Sequence, residues 1–196
     1  MTDVVERAGA AIRDGKPVVY PTETVYGMGA NAVDAEAVER VFEIKGRARD
    51  KPVSLGVPDV ATATEYTKPT ARERAFMHEF LPGPVTVVVE RREMVPDILT
   101  AGSERVGVRV PDHETALALY EAAGVPVTAT SANRSGTGSV RRVGELSAEI
   151  REAVAAVVDG GETPGAESTV VDVAAGTILR RGAMADDIEA WLDAHE

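Results

Sequence analysis

Two threonine hydroxyls, a carboxylate, a phenol and two glycines follow one another in Thr22-Glu23-Thr24-Val25-Tyr26-Gly27-Met28-Gly29, directly after the apolar run Pro17-Val18-Val19-Tyr20. Hydroxyls and a carboxylate at the end of a buried strand can hold a small polar ligand. Glycines there let the backbone approach that ligand where a Cβ would intrude. Pro21 ends the strand, so the loop from Tyr20 to Gly29 is expected to line a site.

More motifs follow in series: Lys45-Gly46-Arg47, Pro82-Gly83-Pro84, Arg105-Val106-Gly107-Val108-Arg109-Val110-Pro111, Ser131-Ala132-Asn133-Arg134-Ser135-Gly136, Glu167-Ser168-Thr169-Val170-Val171-Asp172 and Arg180-Arg181-Gly182. Lys45, Arg47, Arg49, Lys51, Arg105, Arg109, Arg134, Arg141, Arg142, Arg180 and Arg181 fall in or beside them, although the formal net charge is −11. Cations gathered around a cleft in an acidic protein focus positive potential, and guanidinium forks match phosphate and carboxylate oxygens. The expected ligand is a small polyanion. Displacement at phosphorus needs mainly in-line positioning and charge stabilisation, which arginine, lysine, backbone amides and magnesium supply.

Other chemistries fit the residues poorly. The absence of cysteine excludes disulfides, thiolate nucleophiles and cysteine-ligated zinc. His78, His113 and His195 form no cluster in the sequence. No Gly-x-Ser-x-Gly elbow and no Walker A sequence occur, and Gly136-Thr137-Gly138 is too short for a dinucleotide fingerprint.

A chain of 196 residues fits one domain with a sizeable core. No apolar run approaches the roughly 18 residues that span a bilayer. The start, Met1-Thr2-Asp3-Val4-Val5-Glu6-Arg7, lacks the basic and apolar regions of a signal peptide, so a cytoplasmic protein without membrane association is expected. The charge of −11 argues against coating nucleic acid by counterion release. Lys16, Lys45, Lys51 and Lys68 are the only lysines. Many carboxylates with scarce lysine fit a salt-rich cytosol, where screening weakens self-repulsion, or simply an acidic protein from a GC-rich genome.

Helical spacing of Val4, Val5, Ala8, Ala11 and Ile12 predicts a helix over residues 3–14, closed by Gly15. A strand over 18–20 and a helix over about 34–45 capped by Asp34 follow, then a strand over 53–57 and a helix opening on the capping box Thr70-Ala71-Arg72-Glu73. Pro82-Gly83-Pro84 turns the chain ahead of valine-rich strands over 85–89 and 106–110. A helix over 114–123 closes at Gly124, and a strand over 126–130 runs into Ser131-Ala132-Asn133. Residues 134–142 are expected to form a mobile loop, with Ser147 capping the helix beyond it. Strands over 154–158, 168–173 and 177–179, the last two joined by a turn at 174–176, precede a final helix from Asp186. Helices and strands mix without strict alternation. The expected fold is therefore α/β, a single domain over 1–196 with a twisted mixed β-sheet flanked by helices.

In order and spacing, over about residues 5–192, these motifs resemble the YrdC family, the threonylcarbamoyl-AMP synthases that begin threonylcarbamoyladenosine formation in tRNA. The resemblance implies a YrdC-like fold and the condensation of L-threonine, bicarbonate and ATP to threonylcarbamoyl-AMP and pyrophosphate, with magnesium accompanying ATP. It implies that Lys45 and Arg47 are catalytic and that Lys45, Arg47, Arg105, Ser131, Asn133, Arg141 and Arg180 bind ATP, and Lys51, one of the clustered cations, is expected to bind it as well. It gives Thr22, Thr24, Tyr26, Arg109 and Ser168 to the threonine pocket, where Arg109 would pair with the amino-acid carboxylate. No residue is assigned to a metal. Many relatives carry histidine at the position of Gly56, so a contact from that side chain is expected to be missing. Ending soon after its last motif, the chain is expected to lack the carboxy-terminal domain of longer members. A transferase complex acting on tRNA is the implied partner. The rival on the same fold is a non-catalytic RNA-binding or ribosome-maturation module, against which stand the net charge and an aromatic content of 4%. An adenylating enzyme for another amino acid is a nearer alternative.

Overall fold

The protein was analysed as a computed structural model that describes residues 2–195. Helix α1 (Thr2–Arg13) buries Val5, Ala8 and Ile12 on one face, and Gly15 follows it at φ +72°, a left-handed conformation that favours glycine. Strand β1 (Val18–Tyr20) pairs antiparallel with β2 (Gly27–Gly29). Helix α2 (Ala35–Lys45) begins where Asp34 accepts the amides of Glu36 and Ala37, and it ends at Gly46 in the left-handed conformation. After β3 (Ser54–Gly56) and α3 (Val60–Tyr66), α4 (Ala71–Phe80) carries the expected capping box. There the Glu73 amide donates to Thr70 Oγ1 at 3.2 Å, and the Thr70 amide donates to Glu73 Oε2 at 2.7 Å.

The rest of the chain alternates less regularly through β4 (Val85–Glu90), α5 (Asp97–Thr100), β5 (Arg105–Arg109), α6 (Glu114–Ala123), β6 (Val127–Ser131), α7 (Ala148–Ala153), β7 (Ala156–Val157), β8 (Thr169–Asp172), β9 (Thr177–Arg180) and α8 (Ala185–Ala194). The strands form one mixed sheet in the order β7-β1-β2-β6-β3-β5-β4-β8-β9. The pairs β1/β7, β3/β5 and β4/β8 are parallel and the others antiparallel. This is the α/β fold with a mixed sheet and flanking helices that the element pattern predicts.

Burial of one sheet face explains the alternate valines of β4 and β5, since Val85, Val87, Val89, Val106 and Val108 sit in the main core with Phe42, Phe76, Met77 and Leu99. Each such side chain contributes roughly 1.5–3 kcal/mol when fully buried. A second cluster joins α1 to α6 through Ala8, Ile12, Leu119 and Ala123 and reaches the sheet at Tyr20 and Val127.

Several elements differ from the sequence expectation. The Gly-Met-Gly of β2 lies in a segment expected to be all loop, because its pairing comes from neighbours and not from β propensity. Helices α3 and α5 are short and had no recognisable periodicity. The strand expected over 154–158 is reduced to Ala156–Val157, because α7 runs to Ala153. Residues 134–142 lack regular structure but are tied to the body, with the Ser135 amide donating to the Lys45 carbonyl at 2.8 Å.

Candidate functional site

Side chains alternate along a strand, so one face of the sheet collects every second residue of the central strands. That face receives Ser54 from β3, Thr86 and Val88 from β4, Arg105, Gly107 and Arg109 from β5, Ala129 and Ser131 from β6, and Val170 and Asp172 from β8. Register aligns them, with Ser54 opposite Ala129 and Val88 opposite Gly107. They floor a pocket of about 520 Å³. Small residues create the depression. A Cβ on Gly107 would stand 2.7 Å from Ser54 Oγ and 2.8 Å from Thr86 Cγ2.

One end is built by the loop between β1 and β2. Thr22 Oγ1 donates to the Val25 carbonyl at 2.7 Å, accepts the Thr24 and Val25 amides at 3.2 and 3.3 Å, and lies 2.8 Å from Thr24 Oγ1. These bonds hold the turn and leave the threonines on the pocket wall. Arg109 is buried beside them, donating from Nη1 to the Gly83 carbonyl at 3.0 Å and from Nη2 to Glu23 Oε1 at 2.8 Å and Thr24 Oγ1 at 3.2 Å. Ser168 completes this end, its Oγ 3.4 Å from Thr86 Oγ1. Glu23 is absent from the sequence-derived site, yet its Oε1 matches the charge of Arg109 while Oε2 is buried with no hydrogen-bond partner among the described residues. An incoming carboxylate must therefore share Arg109 with Glu23 or displace it.

The second end is cationic. Arg47 donates from Nε to the Lys51 carbonyl at 2.9 Å and from Nη2 to the Pro52 carbonyl at 2.8 Å, so backbone and not carboxylate positions it. Arg180 donates to the Ser168 carbonyl at 2.8 and 3.1 Å and to Ser168 Oγ at 2.9 Å, with Glu167 at 3.7 Å. Burial, and then the nearby charge of Arg180, lower the pKa of Arg47. Two guanidiniums that penalise each other in this way are relieved by a bound anion. Arg105 differs. Its Nη2 reaches Glu73 at 2.9 Å and Asp172 at 3.0 Å, so its charge is already neutralised.

Of the expected site residues, Thr22, Thr24, Arg47, Arg105, Arg109, Ser131, Ser168 and Arg180 line this pocket, while Tyr26, Lys45, Lys51, Asn133 and Arg141 do not. Tyr26 turns its hydroxyl away, donating to the Gly161 carbonyl at 2.7 Å and accepting the Gly160 amide at 3.0 Å. Lys45 is buried, donating from Nζ to the carbonyls of Ser131 and, at 2.7 Å, Asn133. It clasps the backbone that carries Ser131. Burial, helped by the charge of Arg47, holds its ammonium down to about 7. Lys51 is exposed. Asn133 spends its amide on the carbonyls of Arg134 and Thr137, at 2.9 and 2.7 Å. Arg141 pairs with Glu162 at 2.8 Å.

The broad expectation of cations gathered around one cleft is corrected in the same way. Arg49 pairs with Glu39, Arg134 with Glu149, Arg142 with Glu162, and Arg181 with Asp186 and Glu189. With 32 acidic residues against 21 lysines and arginines, most surface cations find a carboxylate, and those without one stand out. At Gly56 there is no vacancy left by a missing side chain, because a Cβ there would lie 2.5 Å from Tyr120 Oη. Ser54, Thr86, Glu167 and Asp172 also line the pocket without having been assigned to it from sequence. For Ser54, Thr86 and Asp172, alternation along the strands was the available signal.

A concave, polar site on a mixed sheet, in which Arg47 has no carboxylate partner among the described residues and Arg180 has only Glu167 at 3.7 Å, marks an α/β protein with a pocket suited to a small anionic ligand. The chain belongs to the Sua5/YciO/YrdC family, described as telomere recombination, whose pattern matches residues 10–182. It is 42% identical over 168 residues to the threonylcarbamoyl-AMP synthase of Pyrococcus abyssi, covering 85% of this chain and 49% of that protein. It is 39% identical over 176 residues to the threonylcarbamoyl-AMP synthase of Bacillus subtilis, covering 87% and 50%. The chain thus spans about half the length of these two relatives. Among solved structures it matches P. abyssi Sua5 complexed with L-threonine, with a TM-score of 0.89 and 38% identity, covering 97% of this chain and 58% of that one.

Proposed function

We propose that the protein condenses L-threonine, bicarbonate and ATP into threonylcarbamoyl-AMP and pyrophosphate. The observation that carries this reading is the pairing, in one pocket, of the incompletely neutralised Arg47 and Arg180 with a hydroxyl-lined end built on Arg109. The names of the P. abyssi and B. subtilis relatives and the L-threonine complex of P. abyssi Sua5 support it.

Arg109 and Ser168 hold the threonine carboxylate, with Thr22 and Thr24 ordering the amino acid beside them. The threonine amine adds to the carbon of bicarbonate and water departs, giving a carbamate. A carbamate oxygen attacks the α-phosphorus of ATP, and the bond to the bridging oxygen of the β-phosphate breaks, releasing pyrophosphate. Arg47 and Arg180 stabilise the charge that grows on that leaving group. Lys45 acts on the same step indirectly, through the backbone of Ser131. Magnesium would accompany ATP. Among the described residues no group of three or more His, Cys, Asp or Glu side chains could form a dedicated cage. Glu167 on the cationic wall is the carboxylate that would hold the ion beside the phosphates, where it would offset their charge.

The product is a reactive mixed anhydride, so a transferase that moves the threonylcarbamoyl group to tRNA is the partner that consumes it, in the cytoplasm. No helix among the described residues is long and apolar enough to cross a membrane. Incubation with labelled bicarbonate, threonine and ATP tests the reading by detection of the labelled adenylate. Equal pyrophosphate release with threonine or bicarbonate omitted would overturn it.

A further inference from the structure

Two tyrosines from distant parts of the chain close the pocket beside Arg109. Tyr20 ends β1 and Tyr120 stands on α6, their rings edge to face with centroids 5.7 Å apart and their hydroxyl oxygens separated by 2.7 Å. Both are buried. Glycines make the room. A Cβ on Gly27 would stand 3.1 Å from Tyr20 Oη, and one on Gly56 would stand 2.5 Å from Tyr120 Oη. Tyr20 and Gly27 both line the pocket, which places the Tyr20 hydroxyl at its edge. Burial pushes Tyr20 up to about 12 and raises Tyr120 well above its ordinary value, so both phenols keep their protons at neutral pH.

Two phenols bring two protons, and the single hydrogen bond between them uses one. A buried O–H without an acceptor is costly, so the direction of the shared bond matters. The Tyr120 hydroxyl lies against Gly56, and the shared bond lowers the pKa of Tyr20 while raising that of Tyr120, as it does when Tyr120 donates to Tyr20 Oη. In that direction the proton of Tyr20 is left for the pocket. On the strength of the reaction proposed above, we infer that Tyr20 donates this proton to the side-chain hydroxyl of the amino-acid substrate, with Tyr120 as the positioning residue that sets its direction. The substrate carboxylate already has Arg109 and Ser168, whereas a neutral phenol suits a neutral hydroxyl oxygen. Tyr20 is thereby a specificity residue, separating threonine from the isosteric valine.

The test compares kcat/KM for threonine and for valine in the unaltered protein, Tyr20→Phe and Tyr120→Phe, at saturating ATP and bicarbonate. Tyr20→Phe is expected to lower the threonine-to-valine ratio by about 10- to 100-fold, the scale of one lost hydrogen bond in a selective site. The loss should fall on KM for the amino acid and leave KM for ATP unchanged, and Tyr120→Phe should give a smaller shift in the same direction. An unchanged ratio in Tyr20→Phe overturns the inference while leaving the reaction intact. Should the variants fold poorly, calorimetry on the unaltered protein decides the matter, because equal affinity for threonine and valine also overturns it. Pyrophosphate release that needs no amino acid removes the proposed reaction, and this inference with it.

Discussion

Oε1 of Glu23 lies 2.8 Å from Nη2 of Arg109, so a cation of the pocket is matched to a carboxylate of the protein before any ligand arrives. Both side chains are largely buried. Glu23→Gln leaves the guanidinium without its counter-charge, and breaking one partner of a buried pair costs about 3–5 kcal/mol. The variant should melt at a lower temperature, and threonine should raise that temperature more than it does for the unaltered protein, because the ligand carboxylate replaces the missing charge. Melting curves with and without threonine check this, and equal increments in both proteins would show that Arg109 does not receive the carboxylate.

Arg109→Lys keeps the charge but loses the fork that reaches the Gly83 carbonyl, Glu23 and Thr24 together. Threonine affinity should fall by about tenfold or more, the scale of one charge-assisted contact, while nucleotide affinity holds. Titration calorimetry separates the two, and weakened nucleotide binding alone would move Arg109 to the other end of the pocket.

Local signals in the sequence placed the elements whose ends carry chemistry. The capping box at Thr70, the Asp34 cap and the strand running into Ser131 are each set within a few residues, so they were legible. Strand β2 was not legible, because Gly27 and Gly29 lie opposite Tyr20 and Val18 through pairing that glycine itself does not favour. The site divides along the same line. Thr24 and Arg109 are marked by their motifs, whereas the contact of Tyr20 with Tyr120 spans 100 residues and depends on how α6 packs. Charge alone could not separate Arg47, held by carbonyls, from Arg141 and Arg142, which Glu162 neutralises.

Arg47→Ala removes a cation from the wall where the proposed reaction would release pyrophosphate. The expected loss is about 2–4 kcal/mol of transition-state stabilisation, seen in kcat with threonine KM little changed. Steady-state kinetics that show a higher threonine KM at unchanged kcat would contradict the placement of phosphate beside Arg47.

Lys45 gives a prediction about stability. Its ammonium is held down to about 7 in the folded protein against an ordinary 10.5, so between those values the unfolded chain binds more protons than the folded one. Stability from this group therefore rises as pH climbs from about 7 towards 10.5, and below 7 its full penalty remains. Lys45→Met should flatten that rise, which amounts at most to about 1.4 kcal/mol per pH unit. Urea unfolding of both proteins at several pH values across this window measures the difference. Parallel curves would mean that Lys45 is not the group responsible.

Arg141 ties the irregular segment 134–142 to its neighbour, since it pairs with Glu162 at 2.8 Å and donates to the Thr163 carbonyl at 3.2 Å. The Thr163 amide returns a bond to the Arg141 carbonyl at 2.9 Å, and the Gly165 amide donates to the Thr24 carbonyl at 2.7 Å. These links connect the segment to the threonine loop of the pocket. Arg141 and its partner Glu162 are both exposed, so the ion pair itself is weak. A phosphate can compete for Arg141 at little cost, and doing so would draw the segment over the nucleotide and shield the mixed anhydride from water. Hydrogen exchange across 134–142 should slow when ATP and magnesium are added, and Arg141→Ala should reduce that protection while more hydrolysed intermediate is released. Exchange that stays the same at saturating nucleotide would leave Arg141 as a surface tether to Glu162, with no part in closing the site.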